Sequence, residues 1–573
     1  MSKSLKLVLW LAAIFSIIIV AIGIGFSLTM SGHTNGMLER EKWLQVTVQG
    51  NIPEAPGNES IFDDPSNYPP LATELTRLVN DASQDPNILG MFLEVHPNSL
   101  GWAQLQELRR AVRAFQDAGK PCIAWGESFS NKEYYLASVC DELHLAPSGV
   151  TLVNGLSMTQ SYYAELFEKL DIKANFAHVG DFKSAVEPYE RTGPSEAASE
   201  ATNYLLDSLY QQLSAGILSE KRSLDETGVA SLLENPPITP QDAQSRNMVD
   251  ALSYRDEILT DKDGIERISV MAYLRKRRPT WAPIGTDIAV VYASGAIMNG
   301  ESGSSTMGSE IIGDRTVVSQ LKDIEESSTI KAVVLRVNSP GGSGSASDNI
   351  WHSIEKIKAK GIPVVISMGN YAASGGYYIS MNSDYIFAEE GTLTGSIGVF
   401  GGKMNIRGLY EKVGISMHTY KRGAYSTLFS STDNFTEAER NKYQEFLESF
   451  YTTFVTKASQ GRGMEYDDLH AVAQGRVWTG SQALDRKLVD EIGGLEEAIQ
   501  KAAELAKLAE FGISLYPKRK SFLERLLEET DPEAVVSLPD PELQKHVDGL
   551  LLLDRMMSYS PSVAMLPYTI TIE

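Results

Sequence analysis

The chain has 573 residues, 43% of them hydrophobic and 22% charged, a globular composition that excludes collagen and long disordered segments. At about 150 residues per domain, this length predicts two to four domains. The net charge of −23 argues against nucleic-acid binding, because phosphate contacts need a basic surface. The two cysteines, Cys122 and Cys140, are too few for a disulfide scaffold or a four-cysteine zinc site and leave the redox compartment open. We predict no metal and no cofactor.

The first predicted element is a membrane anchor. Residues 7–30 are 24 almost wholly apolar residues without a charge. As a helix they would be about 36 Å long, enough to cross a hydrocarbon core of about 30 Å. Lys3 and Lys6 precede the run, so the positive-inside rule places the N-terminus in the cytoplasm and the body across the membrane. The run is longer than the apolar part of a cleaved signal peptide, which favours an uncleaved signal anchor over the cleaved alternative.

The body is predicted to be a tandem repeat. Residues 88–95 and 330–337 are similar apolar segments 242 residues apart, and both read as buried strands. Strands alternate with amphipathic helices in each copy, which predicts two layered α/β domains. The predicted divisions are an N-terminal anchor at 1–31, a first repeat at 41–268, a solvated basic linker at 269–287, a second repeat at 288–515 and a C-terminal appendage at 516–573.

The two copies differ where one of them carries a glycine pair. The second copy continues from its strand as Asn338-Ser-Pro-Gly-Gly342, and the first copy has no counterpart to Gly341 and Gly342. Glycines at a strand end let backbone N–H groups approach a ligand closely. Taken alone, the motif is more typical of a tight turn.

A serine is the second difference between the copies. Ser374 lies in Ala372-Ala-Ser-Gly-Gly376, where a predicted strand meets a predicted helix, and the first copy has no serine at that position. A helix N-terminus offers unpaired N–H groups that stabilise an oxyanion. An N-cap or packing role is the alternative. Together with the glycine pair, the setting predicts that Ser374 is a nucleophile.

The predicted base is a lysine, because no histidine lies in a setting comparable to that of Ser374. The first copy has Lys183 where the second has Ser426. These complementary losses predict one shared active site in which Lys183 and Ser374 meet. To act near pH 7, the pKa of the lysine must fall by roughly 3 from about 10.4, which requires burial.

Four motifs resemble the signal peptide peptidase A (protease IV) family in its long two-domain form: residues 183–188, 338–342, 372–377 and 392–398. The resemblance implies a Clp-protease/crotonase-like α/β fold in each half and a bowl-shaped homo-oligomer, expected as a tetramer. It also implies a single-pass protein of the bacterial inner membrane whose periplasmic body degrades released signal peptides. In that family's scheme Ser374 is the nucleophile, Lys183 is the general base, Ser396 orients the lysine, and the N–H groups of Gly342 and Gly375 form the oxyanion hole.

Two other functions stay open at this point. A crotonase-like acyl-CoA enzyme would also use paired backbone N–H groups, but it needs no lysine partner and its coenzyme is cytosolic. A non-catalytic bowl that only binds peptides is the other alternative. Without the resemblance, Ser396 reads equally well as a turn serine.

Overall fold

The computed structural model describes residues 41–56, 68–218, 225–260, 266–281, 286–304, 310–517 and 562–565. The predicted anchor, residues 1–31, lies outside these ranges. Among the helices within them, none is long and apolar enough to cross a membrane.

The strands, numbered in chain order, are β1 (Lys42–Gly50), β2 (Ile88–Asn98), β3 (Cys122–Ser130), β4 (Glu142–Leu152), β5 (Lys173–Val179), β6 (Ala251–Leu252), β7 (Glu266–Ser269), β8 (Thr286–Ser294), β9 (Ala296–Met298), β10 (Gly303–Ser304), β11 (Glu310–Gly313), β12 (Ala332–Ser339), β13 (Gly341–Ser343), β14 (Val364–Ala373), β15 (Tyr385–Ala388), β16 (Leu393–Gly395), β17 (Val399–Asn405), β18 (Val477–Thr479), β19 (Glu491–Ile492), β20 (Gly512–Tyr516) and β21 (Val563–Met565).

The helices are α1 (Ala72–Gln84), α2 (Trp102–Asp117), α3 (Asn131–Ala137), α4 (Ala164–Leu170), α5 (Glu187–Glu190), α6 (Glu196–Leu218), α7 (Glu226–Glu234), α8 (Pro240–Ser245), α9 (Arg255–Thr260), α10 (Val270–Trp281), α11 (Asp314–Glu326), α12 (Gly344–Ala359), α13 (Gly375–Tyr378), α14 (Arg407–Lys412), α15 (Glu437–Arg462), α16 (Tyr466–Val472), α17 (Gly480–Asp485) and α18 (Leu495–Leu505), and a 3₁₀ turn lies at Ser184–Val186.

Each half is built on a mainly parallel sheet. The first half has six parallel strands in the order β6-β4-β3-β2-β1-β7. The second has the order β18-β16-β14-β12-β8-β20, in which the β16–β18 pair is antiparallel and β15 and β19 continue from β14. Helices cover both sheets, which explains why the central strands read as continuous apolar runs. The predicted tandem α/β fold is thereby confirmed.

The repeat extends to single hydrogen bonds. In each half a buried tyrosine hydroxyl donates to a carbonyl just before the Val-Asp pair, and that aspartate accepts from a backbone N–H of β4 in the first half and of β15 in the second. The equivalent residues are Tyr134 and Asp250 in the first half and Tyr377 and Asp490 in the second.

A third, mixed sheet joins the two halves. Its order is β10-β11-β9-β13-β21-β17-β5, so a strand of the first half, β5, pairs antiparallel with β17 of the second. The C-terminal region predicted as an appendage supplies β21 to this sheet, and β20 extends to Tyr516 at the edge of the second domain's sheet. The segment that follows β5 is thereby placed against the second half.

Buried charges also hold the halves together. Arg336 on β12 has no exposed surface and forms ion pairs with Glu54, at 2.6 Å, and with Glu107 of α2, at 2.5 Å. Burial raises the pKa of Glu107 to about 7, although Arg336 opposes that rise. Because an unpaired charge at such a depth is costly, the three side chains favour one docking of the halves.

The two cysteines, whose role the sequence left open, are bonded to each other. Cys122 at the start of β3 and Cys140 after α3 form a disulfide, with Cα atoms 4.8 Å apart. Both residues are buried in the core of the first half.

Candidate active site

Ser374 stands at a sharp turn between β14 and α13. Its backbone has φ 55° and ψ −111°, a conformation that a residue with a side chain rarely adopts. Two hydrogen bonds hold it there: its N–H donates to Gly395 O at 2.8 Å, and its carbonyl accepts from Tyr378 N at 2.8 Å. Strain of this kind persists only where the surroundings impose it.

The predicted glycines pack so closely beside this serine that no side chain fits. A Cβ atom on Gly375 would lie 3.0 Å from the amide nitrogen of Gly342 and 2.7 Å from Ser347 Oγ. One on Gly341, whose φ is 104°, would lie 2.8 Å from the amide nitrogen of Gly375. The backbones of β13 and of the start of α13 therefore meet next to Ser374, which brings the Gly342 and Gly375 amides together.

Lys183 reaches the same point from the first half. It directly follows the loop after β5 and precedes the 3₁₀ turn at Ser184–Val186. Its Nζ lies 2.9 Å from Ser374 Oγ, 2.9 Å from Ser396 Oγ and 3.1 Å from Ser396 O. The lysine and serine that the repeat comparison predicted to meet are thus in hydrogen-bonding contact across 191 residues of chain.

Burial lowers the pKa of this lysine. Only 1% of Lys183 is exposed, and both serines are fully buried. Removal from water disfavours the ammonium ion and lowers the pKa of Lys183 well below its usual range. A neutral amine has a lone pair, so it can take the proton of a serine hydroxyl at the observed distance.

Ser396 provides the other two hydrogen-bond partners of the Lys183 amine. It too has a left-handed backbone, with φ 50°, and its N–H donates to Arg476 O at 2.7 Å. Its hydroxyl and carbonyl are both within 3.1 Å of Lys183 Nζ, so they fix the direction of the amine toward Ser374.

Sequence reasoning missed a turn that ties these loops together, which we term the 474–476 turn. Gln474 O accepts from Phe182 N at 2.9 Å, and Gly475 N donates to Ile397 O at 2.7 Å. The turn therefore bonds the residue before Lys183 and the residue after Ser396. A signal was present in the repeat: the stretch before helix α8 has Asn235, and the matching stretch before α17 has Gly475.

The arrangement suits acyl transfer. A buried serine hydroxyl in a strained turn faces an amine whose neutral form burial favours, and the backbones of Gly342 and Gly375 pack against each other beside it. Within the described part of the chain no cluster of three or more metal-binding side chains occurs.

Tandem Clp-like α/β domains with this serine and lysine define the class of protein: a serine peptidase. Residues 114–266 and 356–509 match Peptidase family S49, and residues 306–386 match Clp protease. The chain is 30% identical over 553 residues to "Protease 4" of Salmonella typhi, which covers 92% of this chain and 88% of that protein. It is 32% identical over 477 residues to "Serine protease SPPA, chloroplastic" of Arabidopsis thaliana, with 81% and 69% covered. The chain belongs to peptidase family S49.

A shorter relative matches only part of the chain. The "Putative signal peptide peptidase SppA" of Enterococcus faecium is 42% identical over 199 residues, covering 35% of this chain and 58% of that protein. Together these relatives identify an SppA-type protease and leave the acyl-CoA and binding-only alternatives without support.

Proposed function

We propose that the enzyme hydrolyses peptide bonds with Ser374 as nucleophile and Lys183 as general base. The observation that carries the proposal is the 2.9 Å contact between Lys183 Nζ and Ser374 Oγ in a fully buried setting. The amine takes the hydroxyl proton as the oxygen attacks the substrate carbonyl. The same amine then returns the proton to the leaving nitrogen as the C–N bond breaks, which leaves an ester on Ser374. Water hydrolyses that ester, and Lys183 activates the water.

The convergent amides of Gly342 and Gly375 are proposed as the oxyanion hole. The close packing of their backbones, which leaves no room for a Cβ on Gly341 or Gly375, supports that role. Such donors stabilise the negative charge that develops on the carbonyl oxygen and typically contribute roughly 10²- to 10³-fold to rate. Ser396 is proposed to orient the lysine.

Replacing the nucleophile tests the proposal. Ser374→Ala should lower kcat for a peptide amide by at least about 10⁴-fold, because the remaining oxyanion hole and binding contacts catalyse weakly. Ser426→Ala, at an exposed serine in the second half, is the matched control and should keep full activity. A fluorophosphonate probe should label the control and not Ser374→Ala. Full activity or labelling of the alanine variant at position 374 would refute the assignment.

We further propose that the enzyme is anchored in the bacterial inner membrane, with its body periplasmic, and degrades signal peptides and other apolar peptides there. The apolar run at 7–30 supports the anchor, and the disulfide between Cys122 and Cys140 suits an oxidising compartment. The name of the Enterococcus faecium relative supports the substrate class.

The expected homotetramer has surface available for contacts. Large apolar side chains on the segment after α14 and nearby are exposed in the single chain: Val413, Ile415, Met417, Tyr420, Tyr425, Phe429 and Phe446. Exposed apolar patches of this kind mark interaction sites.

Removing residues 1–30 tests the anchor. The truncated enzyme should cleave soluble peptides at nearly the full rate and clear membrane-held signal peptides more slowly, because tethering raises the effective concentration of enzyme beside its substrate. Clearance can be followed in vesicles loaded with a labelled signal peptide, with the full chain as reference. Equal clearance by both proteins would contradict a role for the anchor in turnover.

A further inference from the structure

A tyrosine on α15 and a histidine on α16 form a hydrogen-bonded pair that contacts the 474–476 turn. Tyr451 Oη lies 2.9 Å from His470 Nδ1, and the N–H of Gln474 donates to the same hydroxyl oxygen at 3.3 Å. The rings of Tyr451 and His470 meet edge to face with centroids 5.7 Å apart, and Tyr466 stacks on the histidine at 6.0 Å. The proposed mechanism uses neither side chain of the pair.

The hydrogen bonds of this pair have one consistent direction. Tyr451 is buried, and burial raises the pKa of its hydroxyl to about 12, so the hydroxyl keeps its proton. Because the oxygen already accepts from Gln474, that proton can be donated to His470 Nδ1, which accepts when the ring carries its own proton on Nε2. The chain of donors runs from the Gln474 N–H through Tyr451 to His470.

The 474–476 turn needs such support because it contains a strained residue. Gln474 has φ 53°, in the left-handed region that residues with a side chain seldom adopt, and Gly475 follows with φ 79°. A conformation of this kind lasts only where neighbouring groups hold it. The N–H that Tyr451 accepts belongs to the strained residue itself, so this hydrogen bond favours the observed conformation of the turn.

The same strained residue is bonded to the loop that carries the base. Gln474 O accepts from Phe182 N at 2.9 Å, and Phe182 directly precedes Lys183. A Cβ on Gly180 would lie 2.5 Å from the carbonyl carbon and oxygen of Gln474, so turn and loop pack backbone against backbone. The Tyr451 hydroxyl is therefore linked to the backbone of Lys183 through Gln474 and Phe182 alone.

We propose that Tyr451 and His470 are positioning residues for the general base: they hold Gln474 in its left-handed conformation and thereby place the Lys183 amine against Ser374. This inference rests on the proposed peptidase function and adds two residues of the second half on which its rate depends. Because the pair contacts the turn that holds the base, kcat should depend on the pair and KM should change little.

Tyr451→Phe removes the acceptor of the Gln474 N–H and keeps the ring. We expect kcat for a soluble peptide to fall about tenfold with KM within about twofold, since a 1 Å displacement of a catalytic group costs roughly 10²-fold and a loosened turn displaces it less. Tyr134→Phe is the matched control, because it also removes a buried tyrosine hydroxyl, one that donates to Met248 O at 3.0 Å in the first half. Equal kcat values in the two phenylalanine variants would overturn the proposal.

The pH dependence of kcat separates a displaced base from a loss of folded enzyme. Loss of folded enzyme lowers the amplitude of the profile. A displaced amine is better hydrated, and because burial is what lowers the pKa of Lys183, the acid limb should move to higher pH in Tyr451→Phe and stay in place in Tyr134→Phe. An acid limb at the same pH in Tyr451→Phe and in the wild type would overturn the proposal.

The histidine is tested by a pair of substitutions. His470→Asn keeps an acceptor at the δ1 position, and His470→Leu fills similar space without one. His470→Leu should lower kcat about as much as Tyr451→Phe does, whereas His470→Asn should retain most of the wild-type kcat. Equal kcat values in the asparagine and leucine variants would overturn the assignment of His470.

Labelling by a fluorophosphonate probe keeps this inference separable from the proposed function. The labelling rate of Ser374 measures activation of its hydroxyl and needs no peptide. If the unmodified enzyme hydrolyses no peptide but is labelled faster than Tyr451→Phe, the proposed function fails and the positioning role stands. If hydrolysis depends on Ser374 and Tyr451→Phe matches the wild type in kcat and in labelling rate, the positioning role fails and the proposed function stands.

Discussion

Replacing Lys183 with methionine should abolish peptide hydrolysis and raise the stability of the fold. Methionine nearly matches the length of lysine but has no amine, so the Ser374 hydroxyl loses the proposed base that contacts it. General-base loss in a nucleophilic mechanism costs roughly 10⁴-fold or more in kcat. The measurement is single-turnover cleavage of a peptide amide at pH 7.

The gain in stability follows from the buried amine. Burial holds the pKa of Lys183 in the folded state well below its value in the unfolded chain, which is about 10.4. Between these two pKa values the unfolded chain binds the extra proton, so stability of the wild type rises with pH. The penalty of burying the amine is therefore fully present below the folded-state pKa and disappears above the unfolded-state pKa.

Methionine removes this penalty, and the difference in unfolding free energy between variant and wild type should be positive at pH 7 and shrink toward pH 10. Urea unfolding at the two pH values measures it. Lys173→Met, at an exposed lysine at the start of β5, is the matched control and should change neither activity nor the pH dependence. A Lys183→Met variant that is less stable than the wild type at both pH values would show that the bonds to Ser396 outweigh the cost of burial.

The same folded-state pKa should make the activity depend on pH. The proposed mechanism needs the neutral amine, so activity should rise with pH as Lys183 loses its proton. Because burial lowers that pKa, the rise should be complete well below the pH at which an ordinary lysine titrates.

Comparing the two copies in the sequence was enough to predict the fold and the Ser374–Lys183 pair. The fold follows from the segments that are repeated, and the pair follows from the positions at which the copies differ. Buried parallel strands have a strong apolar signature, and the loss of Lys183 from one copy and of Ser374 from the other is visible without coordinates. The assignment of residues 516–573 to an appendage missed β21, because short strands that pair with distant edges carry little signal of their own.

The mixed sheet was out of reach for a related reason. β5 is part of the first copy in the sequence but pairs with β17 of the second copy. The register of this pair depends on how the two halves dock. The halves also meet through buried polar groups such as Arg336, whose partners Glu54 and Glu107 lie 282 and 229 residues away and follow no local period. Gly475 is an intermediate case. The two copies differ at this position, but only the structure shows that the glycine packs against Lys183.

Gly475→Ala should disable catalysis although it replaces neither the proposed nucleophile nor the proposed base. Gly475 has φ 79°, and a Cβ there would lie 2.6 Å from Lys183 Cβ and 2.7 Å from both Lys183 Cα and N. Backbone atoms cannot rotate out of such contacts, so the loop that carries the amine has to shift. A misplacement of about 1 Å in a catalytic group costs roughly 10²-fold in rate. We expect kcat to fall about 100-fold and KM to change much less, because the three atoms nearest to the added Cβ all belong to Lys183.

The matched control separates displacement of the lysine from backbone strain. Gly463, at the C-terminal end of α15, has φ 60°, and a Cβ added there would meet nothing within 4 Å, so Gly463→Ala introduces the left-handed strain alone. That strain costs roughly 1 kcal/mol of stability and should leave kcat intact. Equal kcat in the two alanine variants, both folded by circular dichroism, would mean that the 474–476 turn does not position Lys183. A loss confined to Gly475→Ala would make this turn the part of the second half that holds the first half's base in place.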